Sequence, residues 1–349
     1  MIKKFLWIFV VVMAGIGCES QKKTEGNINS LQVHVSEAIS YGSPLKPEQT
    51  ISLEVKGNKF PGMIHCAQIV NDTLYVLDTS KAQGLYVYDK NGRFLYAYDK
   101  VGQGVGEFVR LGGFQICGRH IYLFDSSRSQ ILVLNKSGEY VSTQRLGDMG
   151  YVLSLAREEN GGLWINRGNN GRGDAAKLLY QKSDTAAMET VLSIPEELQG
   201  KTLSPLNTFV VYDSTLHYMP DLEPCIYECH EGTARLVYRL DFGGDWPNQN
   251  FFSRNADVHP FFLLRKLSEM SYVTELNFLE DDSFLSLYFR HESMFYLFIY
   301  HKATKRQQLI CDREECLYQP LCVANGRLYV ARENEESFAI ETYDLLKML

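Results

Sequence analysis

The chain has 349 residues, 45% of them hydrophobic and 12% aromatic, enough to bury a large core. Its formal net charge of −7 comes without any basic run, which excludes nucleic-acid recognition, since that needs clustered Lys and Arg. No break in composition marks a second folded domain.

Lys3 and Lys4 precede an apolar run from Phe5 to Met13, and small residues then lead to Cys18, after which the chain turns polar. This order reads as a secretory signal over residues 1–17. The apolar stretch is well short of the ~20 residues of a spanning helix, and no later segment comes closer. Ala14-Gly15-Ile16-Gly17-Cys18 resembles a bacterial lipobox, whose cysteine carries a diacylglycerol after cleavage. Gly15 departs from the usual Leu, so ordinary cleavage is the alternative. Residues 18–48 are expected to be the lipidated cysteine and a flexible tether, with Glu19 to Ser30 polar throughout most of its length.

If Cys18 is lipidated, seven of the eight cysteines remain, so at least one is unpaired. Cys225 and Cys229 lie four apart on an expected strand, roughly 13 Å at ordinary strand rise, too far for a bridge. Cys311 and Cys316 flank a loop and are the local pair to consider against separate core thiols.

From residue 49 onward one pattern recurs. "QIVNDTLYVLD" from Gln68 and "QICGRHIYLFD" from Gln115 align without gaps, each a strand, a polar turn and a β-branched or aromatic strand. The frame repeats at Leu74, Ile121, Leu163, Leu216, Phe284 and Leu328, with spacings of 47, 42, 53, 68 and 44 residues. A second strand pair follows each copy, as in "LYVYDKNGRFLYAY" from Leu85 and "FYLFIYHKATKRQQLI" from Phe295. The Asn91-Gly92 and Ser137-Gly138 pairs are hairpin turns, because Gly reaches positive φ without steric cost.

Six four-stranded antiparallel units of about this length, apolar on both faces, predict an all-β, six-bladed β-propeller over residues 49–349, the alternative being a β-sandwich. The sixth copy, "FAIETYDLLKML" from Phe338, runs out after its third strand, and "TISLEV" from Thr50 is expected to supply the fourth.

The 68-residue spacing holds an insertion, residues 242–275 between blades 4 and 5. Phe261, Leu264 and Leu267 with Phe262 and Lys266 predict a short amphipathic helix there, either a lid or docking surface or a helix packed on the disc.

With these residues in place, the chain resembles the six-bladed β-propeller lipoproteins of gram-negative gut anaerobes, related to NHL-repeat propellers. The likeness rests on the lipobox-like start, "ISLEV", the "LYVLD…LYVYDKNGRFLY" blade, the "GQGVGEF" loop from Gly102 and "YVTELNFLEDDSFLSLYF" from Tyr272. It implies an envelope location, as an outer-membrane lipoprotein facing the periplasm or the cell surface. It also implies that ligands use the face made by second-to-third and blade-to-blade connections. Candidate residues on that face are Asp78, Glu107, Arg110, Asp125, Arg128, Asn166, Arg167, Arg290, His291, Arg332 and Glu333, a mixed-charge mouth for a polar small molecule, glycan, peptide or envelope protein. Solvated loop ends are the plainer reading of the same residues.

Other motifs carry less. The loop "GQGVGEFVRLGG" has Glu107 where a dinucleotide fingerprint has Gly, and it opens no helix, so it is read as a blade-linking turn. Cys229 and His230 point to opposite faces of a strand, His217 shares a packing row with Tyr75, Tyr122 and Trp164, and "RGD" at Arg172 is three residues in a Gly-rich loop. No cofactor, metal site or catalytic residue is assigned. A monomeric, envelope-anchored binding module is expected, the alternative being a lyase- or lactonase-type enzyme with a metal in the central channel.

Overall fold

Strands that are apolar on both faces must be covered on both sides, and the computed structural model shows what covers them. It describes residues 28–40, 45–147, 149–170, 174–203, 207–313, 317, 319–333 and 337–349. The signal segment, Cys18, Cys316, and Arg172 and Gly173 of the RGD triplet lie outside the described residues.

Three short strands come first: β1 (Asn29–Gln32), β2 (Ile39–Ser40) and β3 (Gln49–Ser52). Blade 1 is β4 (Cys66–Val70), β5 (Thr73–Asp78), β6 (Gly84–Asp89) and β7 (Phe94–Tyr98); blade 2 is β8 (Leu111–Cys117), β9 (His120–Asp125), β10 (Gln130–Asn135) and β11 (Tyr140–Arg145). Blade 3 is β12 (Ser154–Arg157), β13 (Leu163–Asn166), β14 (Ala176–Gln181) and β15 (Met188–Ser193). Blade 4 is β16 (Phe209–Tyr212), β17 (Thr215–Tyr218), β18 (Cys225–His230) and β19 (Thr233–Asp241). After helices α1 (Gln249–Arg254) and α2 (Pro260–Glu269), blade 5 is β20 (Thr274–Glu280), β21 (Phe284–His291), β22 (Met294–His301) and β23 (Gln307–Asp312). Blade 6 is β24 (Pro320–Ala324), β25 (Arg327–Glu333) and β26 (Phe338–Asp344), and its fourth strand is β3. The first strands of neighbouring blades touch all the way round the ring.

The core is divided into layers between blades. Leu77, Leu85 and Val87 of blade 1 meet Ile121, Leu123 and Leu132 of blade 2. Ile165 of blade 3 meets Phe124 and Ile131, and Trp164 meets Leu216 and Tyr218 of blade 4. Each such side chain, fully buried, contributes about 1.5–3 kcal/mol.

The ring closes as expected. Ile51 pairs with Ile340 antiparallel, and Ile51 and Leu53 are buried against Val76, Tyr86 and Tyr88 of blade 1. Gly92, at φ +82°, makes this approach possible, because a Cβ there would sit 2.1 Å from the Ser52 carbonyl oxygen.

The expected tether through residue 48 is corrected. β1 pairs parallel with β19 and β2 parallel with β23, so residues 29–40 cover the outer edges of blades 4 and 5. Those edges expose unpaired backbone groups, and alternation in "LQVHV" puts Leu31 and Val33 into the core beneath them. The insertion is helical as read, but its apolar face is turned: Leu263 and Leu267 are buried while Phe261 and Phe262 are exposed. With Phe251 and Phe252 they form a separate small core against Ile194 and Leu198.

Cys66, Cys117, Cys225, Cys229, Cys311 and Cys322 are free thiols. Among the described residues no helix is long and apolar enough to cross a membrane.

Candidate functional site

The six first strands line a central channel. Its waist mixes apolar walls, Ala67, Phe114, Leu155, Phe209 and Leu321 among them, with the polar Gln68, Gln115 and Asn207, and it contains two chambers of about 140 Å³ each. Polar side chains in the waist bind backbone. The Gln68 Oε1 accepts from the Ile116 N–H at 3.1 Å, and Gln115, its counterpart in the next repeat, accepts from the Arg157 N–H at 2.6 Å and donates to the Arg157 carbonyl at 2.8 Å. The two aligned glutamines therefore bolt together the first strands of blades 1, 2 and 3.

The channel opens on the face made by first-to-second turns into a vestibule of about 780 Å³. Every blade contributes, through Asn71, Gly118, Glu159, Asp213, Asp282 and Asn325. Its charged lining is Glu158, Glu159, Asp213, Glu280, Asp281 and Asp282 against Lys136 and Arg157, so its field is negative.

Two of these carboxylates hold turns. Asp281 accepts from the N–H groups of Ser283, Phe284 and Gly326 at 2.7–2.9 Å, tying blade 5 to blade 6. Glu158 accepts from the Trp164 Nε1 at 3.0 Å and from the Glu231 N–H at 2.9 Å.

Glu280 is different. It is 2% exposed, and its partners are side chains from two strands and a turn. The His217 Nδ1 lies 2.6 Å from Oε2, the Lys302 Nζ lies 2.8 Å from Oε1, and the Tyr212 hydroxyl donates to Oε1 at 3.3 Å. Lys302 sits 4.0 Å from the centre of the Tyr212 ring and also donates to the Asp281 carbonyl. Burial first, then the Glu280 charge, push the Tyr212 phenol up, so it remains a donor. The His217 Nε2 looks toward the Glu228 Oε2 at 3.9 Å, across a side cleft of about 360 Å³ between blades 4 and 5.

The residues expected to line the opposite face are mostly committed to loops. Asp78 is fully buried, and its carboxylate accepts from five backbone N–H groups, those of Gly62, Met63, Ser80, Lys81 and Ala82, at 2.7–3.0 Å. Burial raises its pKa, but these bonds outweigh it and hold the carboxyl below the ordinary range. Asp125 repeats the arrangement with the N–H groups of Val109 and Arg110 and the Gln130 amide. Asn166 accepts from the Gly168 N–H and the Tyr218 hydroxyl.

Glu107 accepts from the Gly104 N–H, Arg128 donates to the Glu107 carbonyl, and Arg110 is exposed. Arg167 is buried on Asp174, Arg332 binds Glu341 and Tyr343, and Glu333 accepts from the Ile64 N–H at 2.6 Å. Arg290 lies 3.5 Å from Glu275 and His291 lies 3.7 Å from Asp245. None of these eleven residues lines the vestibule.

Sequence reasoning assigned His217 to packing and missed Glu280. Both are buried where blades 4 and 5 meet, as packing residues are, and the signal for Glu280 was the Glu-Asp-Asp run at the end of a first strand. Among the described residues no three His, Cys, Asp or Glu side chains are grouped as a metal site would need.

Two solved structures share the architecture. A Bacteroides fragilis NCTC 9343 protein described as exported is 16% identical, with a TM-score of 0.74 over 91% of this chain and 99% of its own. A Bacteroides vulgatus ATCC 8482 member of the duf4221 family is 9% identical, with a TM-score of 0.57 over 85% and 97%. Virginiamycin B lyase from Staphylococcus aureus, 10% identical, reaches only 0.45 over 84% and 98%, a likeness too loose to bear on chemistry. No curated protein matches the sequence. The model of the 6-bladed beta-propeller family DUF5128 matches residues 21–318, and with six blades observed the chain belongs to that family.

Proposed function

We propose that this propeller is exported, held at the cell envelope through a lipid on Cys18, and works as a binding module whose vestibule takes a polar ligand bearing positive charge, such as an amine or a basic peptide segment. The observation that carries the reading is the vestibule itself. Its volume is about 780 Å³, all six blades build it, and six carboxylates face two basic groups. Cavities of roughly 300–1,000 Å³ are the usual size for small-molecule sites. The negative rim attracts cations at long range. The exported Bacteroides fragilis neighbour and the signal-like start support the location.

Calorimetric titration with tri-lysine and tri-glutamate tests the binding reading. Tri-lysine should bind and tri-glutamate should not. Binding should weaken as salt rises toward 0.5 M, where the Debye length falls to about 4–5 Å. The combined change Glu159→Gln, Asp213→Asn and Asp282→Asn should remove it. Equal heats for the two peptides would overturn the reading. For the anchor, Cys18→Ala should move the protein from the membrane to the soluble fraction of lysed cells.

A further inference from the structure

On the face away from the vestibule, α2 roofs a cleft of about 310 Å³ at the roots of blades 4 and 5. Leu203, Met219, Leu222, Trp246, Leu264 and Leu276 give it an apolar body, while three carboxylates stand in its lining: Asp221, which accepts from the Leu203 N–H, Glu223, which pairs with Lys177, and Glu275.

The backbone around the cleft is strained to make it. Leu222 has φ +61° and Glu275 has φ +54°, in the left-handed region that side chains other than Gly, Asn and Asp seldom occupy. The β20–β21 register slips between Thr274 and Asn277, leaving Glu275 and Leu276 as a bulge. Such strain persists only where the surroundings hold it, and it gathers at ligand clamps. Leu222 and the bulged Glu275 both stand on the wall of this one cavity. An apolar cavity hydrates poorly, so its walls favour an apolar occupant.

From this we infer that the cleft beneath α2 binds a small amphiphile, its apolar part between Leu264 and Leu276 and a cationic head at Glu275. Glu275 meets Arg290 only at 3.5 Å, leaving that pair open to exchange for a ligand cation. The cleft is too small for a protein segment with side chains, and its position is independent of the vestibule.

The neutral fluorophore N-phenyl-1-naphthylamine is a direct probe of the full mature chain. Its emission should rise saturably at one site per chain and leave the tri-lysine titration unchanged. Dodecyltrimethylammonium should displace it at concentrations about tenfold lower than dodecyl sulfate does, a difference of about 1.4 kcal/mol. Glu275→Gln should erase that preference, and Leu264→Trp, which fills the cleft, should abolish the signal. Should Leu264→Trp fold poorly, the ¹³C-methyl resonance of Met219 in the unmodified chain gives the answer, because the probe must shift it ahead of the other methionines. Unsaturable emission, equal displacement by the two detergents, or an unmoved Met219 would overturn the assignment.

Discussion

Blades 1 and 2 share one plan with blades 4 and 5 and spend their polar residues in opposite ways. In the first pair, Asp78, Asp125, Gln68 and Gln115 all reach backbone groups, of their own loops or of the next blade. In the second pair Asp281 still binds backbone, but other polar groups reach one another: His217 and Lys302 on Glu280, Arg235 on Glu228. A backbone-directed contact can be copied from blade to blade, because the backbone it meets is copied too. A network among side chains needs partners particular to one junction, so it arises once. The helical insertion and the added outer strands belong to the same two divergent blades, and the cleft beneath α2 is built there.

The contrast is open to direct attack. The largest effect is expected from Glu280→Ala, which leaves the buried His217 ring without its hydrogen-bond partner and the partly buried Lys302 without its counter-charge, and should cost about 3–5 kcal/mol in urea unfolding. Glu280→Gln, which keeps an acceptor, should cost less. A loss below about 1 kcal/mol for the alanine variant would mean that the network is no more than solvated polarity.

A smaller loss of about 2–3 kcal/mol is expected for Asp78→Ala in blade 1, since five N–H groups lose one acceptor but some can turn to water. Here pH sharpens the test. The folded carboxyl titrates below its unfolded value, so its stabilisation is complete above the ordinary Asp pKa of ~3.9 and disappears as pH falls through the lower folded value. Asp78→Asn should therefore flatten the acid limb of the urea midpoint between pH 5 and pH 2. An unchanged limb would show that the loop does not depend on the charge.

The smallest effect is expected at the thiols, where the two regions should behave alike. Burial pushes Cys66 and Cys322, at the junction of blades 1 and 6, and Cys225, in blade 4, up to about 12. Because the thiolate is the nucleophile, all three should resist iodoacetamide at pH 8 by about a thousandfold relative to the unfolded chain. Fast alkylation of Cys225 alone would show that blade 4 opens locally.

The fold was legible because it is periodic. Leu74, Ile121 and Leu328 announce the same turn and strand wherever they occur, and the missing outer strand of the last copy pointed to "ISLEV". The roles of single polar residues were not. A carboxylate after a strand looks the same whether it faces solvent or, as at Asp78, the loop folds five N–H groups onto it. Likewise His217 and Glu280 are 63 positions apart and meet only because two blades abut. The pairing of Leu31 and Val33 with blade 4 was hidden by its parallel direction and its span of some two hundred residues. Phe261 and Phe262 misled for another reason: helical period gives a stripe but not which way the helix rolls when a second core, at Ile194 and Leu198, competes for it.

The seam at β3 and β26 also governs how the molecule is born. Its two halves are the first and last ordered strands of the ring, so the N-terminal partner emerges early and stays unpaired until nearly the whole polypeptide has followed. Closing so large a loop is entropically costly and slow, and the waiting edge is open to wrong partners meanwhile. A newly made chain is therefore most open to wrong pairing at its beginning, and any premature stop that removes residues 338–344 leaves an unclosed, aggregation-prone product instead of a five-bladed survivor.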